Sequence, residues 1–257
     1  MNREKVLHHL DDERRRLAYE GEVIEVLPNV TRIHARDGSH YTVIHSSLTV
    51  DDADAAISTE IEHHRKLGVG FEWKVYSHDS PSDLRNRLAE RGLQIGPKEA
   101  VMVCDLSHGP NPDDGPSGLR VVRVDRTEDV DVFRSVAEQV FAKDYSFTAN
   151  QLAEEIRAGS FQHRGYIAYA GDTPVSIGRL YTHPFSVFGG LYGGGTVTEY
   201  RGKGYYRSVI LARARDAAAR GARYLIVDAL PTSRPILERM GFQHLSDTWA
   251  CEWRQVR

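Results

Sequence analysis

Residues 193–208, Gly-Gly-Gly-Thr-Val-Thr-Glu-Tyr-Arg-Gly-Lys-Gly-Tyr-Tyr-Arg-Ser, constrain the fold more than any other stretch of this chain. They read as a strand, a basic glycine-bearing turn, and the start of a helix that runs on through Val209, Ile210, Ala214 and Ala217. Glycine lets the backbone take positive φ and come close to a ligand. The first N–H groups of a helix lack internal acceptors, and the helix dipole places partial positive charge there. Such a terminus binds phosphate. Arg201, Lys203 and Arg207 add full charges, so the turn is a candidate pyrophosphate cradle.

Two common phosphate loops do not fit. A P-loop needs Gly, four residues, then Gly-Lys-Ser/Thr, whereas here Lys203 is followed by Gly204. A dinucleotide fingerprint needs a third glycine where Arg207 stands. The pattern that fits is Arg/Gln-x-x-Gly-x-Gly/Ala. Residues 201–206 match it at Arg201 and Gly204 and depart at Tyr206. The turn therefore resembles the acyl-CoA loop of the GNAT superfamily of N-acetyltransferases.

The order of the surrounding segments strengthens the resemblance. Arg223–Ala229 is a short apolar run of β-forming residues, hence a buried strand. Residues 230–242 then read as a short helix, with Thr232 or Ser233 as cap, Pro235 in the first turn and Gly241 as stop. A short helix ending in Arg-Met-Gly-Phe before a last strand is similar to the segment that follows the GNAT acyl-CoA helix. Upstream, Gly165–Ala170, Pro174–Tyr181 and Phe188–Thr198 read as successive antiparallel strands, the first two joined at Gly171-Asp172. Residues 118–253 thus resemble one complete GNAT domain.

A chain of 257 residues holds one large or two small domains. The polar stretch 107–117 carries three prolines and two glycines and reads as a linker. Segments on either side repeat: Asp79 and Asp228, Leu88 and Leu237, and Gly92 and Gly241 are each 149 residues apart. Similarity at so long a period means a duplicated domain. In the first half, strands are expected at Thr31–Ala35, Tyr41–His45, Phe71–Tyr76 and Ala100–Leu106, with helices at Asp51–Lys66 and Ser82–Arg91. No acyl-CoA loop occurs there. The expected architecture is α/β (α+β), a tandem GNAT-like fold. Each half is a mixed, mostly antiparallel sheet flanked by helices. Residues 1–106 form a reduced domain that supports the other half or walls the acceptor cleft. Residues 107–117 are the linker and 118–257 the acyl-CoA-binding domain.

Composition narrows the partners. A net charge of -3 argues against general nucleic-acid binding. No apolar run reaches membrane-spanning length, and the charged N-terminus has no signal core. Cys104 and Cys251 lie in apolar strands without metal or redox spacing, so both are expected to be reduced core residues of a cytoplasmic protein that binds no metal. The excess of arginine over lysine suggests a bacterial source. The histidine pairs His8-His9 and His63-His64 lack ligand spacing and are expected in solvent.

The resemblance assigns roles. Acetyl-CoA would be the cosubstrate, held by backbone groups of Thr196, Val197 and Thr198 and by Arg201, Gly202, Lys203, Gly204, Tyr205, Tyr206 and Arg207. Glycines 193–195 suggest a bulge, a close ligand approach or a flexible loop. Tyr206 either packs beside Val209 and Ile210 or reaches the pantetheine. The glutamate many members carry on the fourth strand is missing, which leaves Tyr192 as the only ionisable group there. The helix tyrosine that protonates the leaving thiolate is also missing, replaced by Leu237 and Glu238. Glu199 caps or pairs with Arg201. Ser233 either bonds near the CoA sulfur or caps the helix. Asp228 is a base, an ammonium anchor or a structural carboxylate. Asp144, Tyr145 and Phe147 grip an amine or simply connect two helices. Ser233, Asp228 and Tyr192 are thus the catalytic candidates.

The expected activity is direct transfer of acetyl from acetyl-CoA to a primary amine of a small molecule or peptide, by a monomer or homodimer. The alternative is a non-catalytic acyl-CoA sensor or protein-interaction module of the same fold.

Overall fold

A computed structural model of the chain describes residues 1–110, 119–160 and 162–255. Most of the expected linker, from residue 111 onward, lies outside the described residues. The chain divides into two compact units that do not follow chain order. The first holds Met1–Val101, Ala229–Arg234 and His244–Arg257; the second holds Met102–Asp228 and Pro235–Gln243.

In the first unit, α1 (Arg3–Arg16) precedes β1 (Glu22–Val26), β2 (Val30–Ala35) and β3 (Tyr41–Ser46). Then come α2 (Ala53–Leu67), β4 (Phe71–Tyr76), α3 (Leu84–Glu90) and the two-residue β5 (Gln94–Ile95). The last strand of the chain, β12 (Gln243–Trp253), completes the strand order β1-β2-β3-β4-β12, and β5 also pairs with β12. β3 and β4 are parallel, with Val43 opposite Trp73, whereas β12 runs antiparallel to β4 from Thr248–Tyr76 to Trp253–Phe71. The core lies where α2 and α3 bury Ile57, Leu84 and Leu88 against Val43, Trp73 and Cys251.

Local chemistry fixes the ends of α2. Thr49 N donates to Asp52 Oδ1 (2.7 Å) and Asp52 N donates to Thr49 Oγ1 (3.3 Å), a reciprocal cap that satisfies two donors at the start. Gly68, at φ 74°, ends the helix in the left-handed conformation. Within the helix His64 departs from the solvent-facing expectation. It is buried, stacks on Phe71 (centroids 4.1 Å apart) and bonds Glu60 O through Nδ1 (2.8 Å). Its place on the apolar side of α2, with Ile57 and Ile61, is the reason.

β6 (Glu99–Asp105) passes from the first unit into the second at Val101/Met102. The second unit then runs β7 (Arg120–Val124), α4 (Thr127–Phe141), α5 (Ser146–Ala158), β8 (His163–Ala170), β9 (Thr173–Thr182) and β10 (Phe188–Thr196). It ends with α6 (Tyr205–Ala219), β11 (Tyr224–Ala229) and α7 (Arg234–Arg239). The strand order is β6-β11-β10-β9-β8-β7. β7, β8, β9 and β10 are successively antiparallel, and β10 and β11 are parallel. One face carries α4 and α5, which bury Phe133, Val136 and Leu152 on Ile167 and Ile177. The other face carries α6, where the Tyr166 hydroxyl of β8 donates to Asp216 (2.6 Å). Cys104 and Cys251 are buried free thiols, and burial pushes each up to about 12.

Candidate functional site

The site grows from the way β10 leaves β11. The two strands pair only from Phe188–Tyr224 to Gly190–Ile226. β10 continues to Thr196 and β11 to Ala229, so the strands part beyond Gly190. On its other side β10 stays paired with β9, but the register shifts between Tyr192 and Gly195. That shift is a β-bulge, which bends and twists its strand.

The three glycines of the bulge each answer to a neighbour in the protein itself. Gly193 has φ +52°, a conformation that L side chains rarely adopt. A Cβ on Gly194 would lie 3.0 Å from Tyr206 Cε2 and 3.3 Å from an Arg213 Nη. A Cβ on Gly195 would collide with Val140 Cγ1 of α4. Tyr206 therefore packs on the sheet, over Gly194 and beside Arg213 two helical turns further on. Burial raises its phenol above the ordinary value. Arg213 is fully buried; burial pulls it down to about 10, which leaves it charged at neutral pH.

After the bulge the strand ends at Thr196, two residues short of the sequence expectation, and Thr198–Tyr200 form a 3₁₀ turn. Val197 N donates to Val175 O (2.9 Å), so this N–H is used within the sheet rather than left for a ligand. Arg201 does not pair with Glu199. Its Nε donates to Thr196 O (3.1 Å) and braces the turn, because the 3₁₀ turn brings that carbonyl within reach. Glu199 is exposed.

Gly202 (φ +75°) and Gly204 (φ +89°) then set the turn that opens α6. No side chain caps this helix. Among the described residues the backbone N–H groups of Gly202, Lys203, Gly204, Tyr205, Tyr206 and Arg207 have no acceptor. Lys203 Nζ lies 5.2 Å from the Tyr200 ring centroid, and Tyr205 meets Tyr200 edge-on at 6.2 Å. Arg201, Lys203 and Arg207 form no ion pair with any described carboxylate, and Arg207 Nε is buried without a partner. The corresponding helix of the first unit is the opposite in character. There α2 also follows the first of two parallel strands, but Asp51, Asp52 and Asp54 place negative charge at its start and Thr49 and Asp52 bond each other there.

The three catalytic candidates sit in different settings. Tyr192 is 45% exposed on β10, opposite Arg179 of β9, with Tyr181 edge-on at 5.0 Å. Asp228 is half-buried near the end of β11. Ser233 donates its hydroxyl to Leu230 O (3.1 Å) in the turn before α7, and belongs to the first unit where Tyr192 and Asp228 belong to the second.

The α4–α5 connection resolves residue by residue. Asp144 Oδ1 accepts from Ser146 N (2.9 Å) and Ser146 Oγ (2.6 Å), so it serves the start of α5. Tyr145 is buried, stacks on Phe141 at 5.4 Å and points its hydroxyl at Gly193. Phe147 is exposed. Asp11, His78 and Asp79 in the first unit stand close enough to share an ion. Their polar atoms already have partners: Arg14 binds both aspartates and His78 Nε2 bonds Asp11 (3.1 Å).

No protein-family profile matches the sequence, and no curated protein matches it. Solved structures do match. A GCN5-related N-acetyltransferase from Kribbella flavida superposes with TM-score 0.68 at 13% identity, over 97% of this chain and 93% of the other. A functionally unknown protein from Staphylococcus epidermidis gives 0.67 at 13% identity, over 94% and 99%. The chain has the fold of the GNAT superfamily. A tandem GNAT protein from the clavulanic acid biosynthesis pathway matches 95% of this chain with 87% of its own, at TM-score 0.58 and 13% identity. No helix among the described residues is long and apolar enough to cross a membrane.

Proposed function

We propose that the second unit binds acetyl-CoA and transfers its acetyl group to a primary amine of a small molecule or peptide. The observation that carries this reading is the contrast between two helix starts. α2 starts among Asp51, Asp52 and Asp54, with Thr49 and Asp52 bonded to each other, whereas α6 opens on six N–H groups without acceptors and on three cations without carboxylate partners among the described residues. Arg207 Nε, buried without a partner, fits an anionic group at this place. A pyrophosphate supplies the acceptors that these donors lack. By the same contrast the first unit holds no acyl-CoA and supports the second.

In this reading Gly202–Arg207 bind the phosphates through backbone N–H groups, and Arg201 and Lys203 add charge. The parting of β10 from β11 makes room for the acyl arm beside the free edge of β10. The bound cosubstrate supplies the activated acyl group. As the amine nitrogen forms its bond to the acyl carbon, the carbon–sulfur bond breaks, and the proton lost by the amine offsets the one gained by the thiolate. Tyr192 stands on β10 to pass that proton. Asp228 receives it from the amine or holds the ammonium before reaction. Ser233 keeps its own turn closed and offers only an acceptor oxygen. The protein is read as a cytoplasmic bacterial enzyme, monomeric or dimeric, without a metal.

A second reading has one observation in its favour: β10 carries no carboxylate, so the same cradle would serve a sensor of acyl-CoA that does not turn over. Calorimetric titration with acetyl-CoA, with desulfo-CoA and a free adenine nucleotide as controls, tests the site. A thiol-release screen of amines then separates enzyme from sensor. Absence of CoA-specific binding would remove both readings.

A further inference from the structure

Among the described residues Arg179 has no counter-charge. It lies on β9, opposite Gly165 of β8 and Tyr192 of β10, on the face that carries α4 and α5. Its Nε is buried and has no hydrogen-bond partner, and no described carboxylate pairs with it. Burying a guanidinium nitrogen without an acceptor is costly, and proteins usually pair it. Here the surroundings add positive charge. On the opposite face of the sheet the fully buried Arg213 donates to Arg179 O (3.0 Å) and Val209 O (3.2 Å), and it too lacks a carboxylate. Two acids of α4 and α5 are committed elsewhere. Glu138 pairs with Arg134 and accepts from Tyr145 N. Glu155 accepts from His163 N (2.8 Å) and Ser160 Oγ (3.4 Å), and lies 3.5 Å from His163 Nδ1.

The guanidinium also has a direction. A Cβ on Gly193 would lie 3.1 and 3.4 Å from Arg179 Nε and Nη2 and 3.0 Å from the Tyr145 hydroxyl. Arg179 and Tyr145 therefore converge on the bulge. Tyr181, 6.0 Å from the guanidinium carbon, and the half-exposed Tyr192 flank the same place with aromatic surface. A planar fork of donors matches a carboxylate, and the phenol adds a third donor beside it.

We propose that Arg179, with Tyr145, binds a carboxylate on the acceptor, so that the amine acylated is that of an amino-acid-like molecule. This rests on the acyl-transfer reading for the word acceptor, but the carboxylate site stands on its own geometry. It also gives the glycine at 193 a second role, since any side chain there would stand between the two donors.

The test uses the full chain and product-like probes. N-acetyl-L-phenylalanine, N-acetyl-L-leucine and N-acetyl-L-glutamate are titrated calorimetrically against their α-carboxamides, with and without saturating CoA. The acids are expected to bind at least about tenfold tighter than the amides. Arg179→Met should bring the ratio to about one, and Arg179→Lys should leave an intermediate ratio. Circular dichroism checks that each variant folds, with Arg179→Gln as replacement for any that does not. Equal binding of acids and amides, no binding by any acid, or a ratio unchanged in Arg179→Met would overturn the proposal. Acids that bind through Arg179 while CoA does not bind would leave the carboxylate site standing and remove the acyl-CoA reading instead.

Discussion

Leu88 of α3 and Leu237 of α7, 149 residues apart, end their helices in the same way. Both side chains are fully buried. Leu88 O accepts from Arg91 N (3.2 Å) and Leu93 N (3.0 Å); Leu237 O accepts from Met240 N (2.9 Å) and Phe242 N (3.1 Å). Between them Gly92 and Gly241 take φ of +89° and +87°. Truncating either leucine should therefore cost its own unit a similar amount. We expect Leu88→Ala and Leu237→Ala each to lower stability by about 2–5 kcal/mol, read from urea unfolding.

The cradle predicts a separation of binding from stability. Arg201 and Lys203 are exposed, so Arg201→Glu with Lys203→Glu should leave the melting temperature within a few degrees of the parent. Affinity for acetyl-CoA should drop by about a hundredfold or more, since two attractions become repulsions. Calorimetry and a thermal melt on the same sample check both. Unchanged affinity would end the assignment of this turn to phosphate.

The bulge predicts a rescue. Gly195→Ala places a methyl group into Val140 and should destabilise by about 1–3 kcal/mol through overpacking. Val140→Ala opens that space. The double variant should therefore be more stable than the sum of the two single losses, a coupling that a double-mutant cycle measures directly. Strict additivity would mean that the two residues do not meet.

Tyr192 is the ionisable group of β10, and Tyr192→Phe keeps the ring that meets Tyr181. If it moves a proton in the reaction, turnover should fall by about a hundredfold or more with acetyl-CoA affinity unchanged. Full activity in Tyr192→Phe would assign the proton to ordered water or to Asp228.

Acid should weaken the protein well before its carboxylates titrate. Burial, then the charges of Arg14 and Arg15, pull His45 from 6.5 down to about 4, and its Nε2 accepts from Arg15 Nε (3.1 Å). Burial also lowers His64 and His163. The folded protein thus holds these rings neutral while the unfolded chain takes up protons near pH 6.5. Their contribution is complete above that pH and is lost as pH falls toward about 4. The urea midpoint should drop between about pH 7.5 and about pH 5, and His45→Gln should flatten part of the slope. A midpoint that holds steady over this range would contradict the neutral assignment.

Much of this was legible in the sequence, for identifiable reasons. The strands Phe71–Tyr76 and Thr173–Thr182 have patterns that one face or two buried faces impose, and glycines 92, 171, 202, 204 and 241 mark real positive-φ turns. The turn that opens α6 was readable because its parts are local: glycines, cations and a helix start lie within seven residues. Arg179 was not. Its meaning depends on what is missing around it, and neither Tyr145 nor Gly193 is near it in sequence. His64 misled because two adjacent histidines look alike in a string, while a helix turns one toward Phe71 and the other away. Tyr206 looked like an intruder at a position usually small, and the space for it comes from Gly194, twelve residues earlier.

The membership of β6 and β12 bears on how this molecule can be divided and inherited. β12 is made last yet completes the unit that begins the chain, and β6 carries the first half of the sequence into the second unit. A cut near residue 110 would strip Trp249, Cys251 and Trp253 from the core they help to fill. Once each copy of a duplicated ancestor had come to depend on the other for a strand, neither could be deleted or recombined alone. Even a half with no chemistry of its own would then be kept, preserved by its partner's need for the strand it gives.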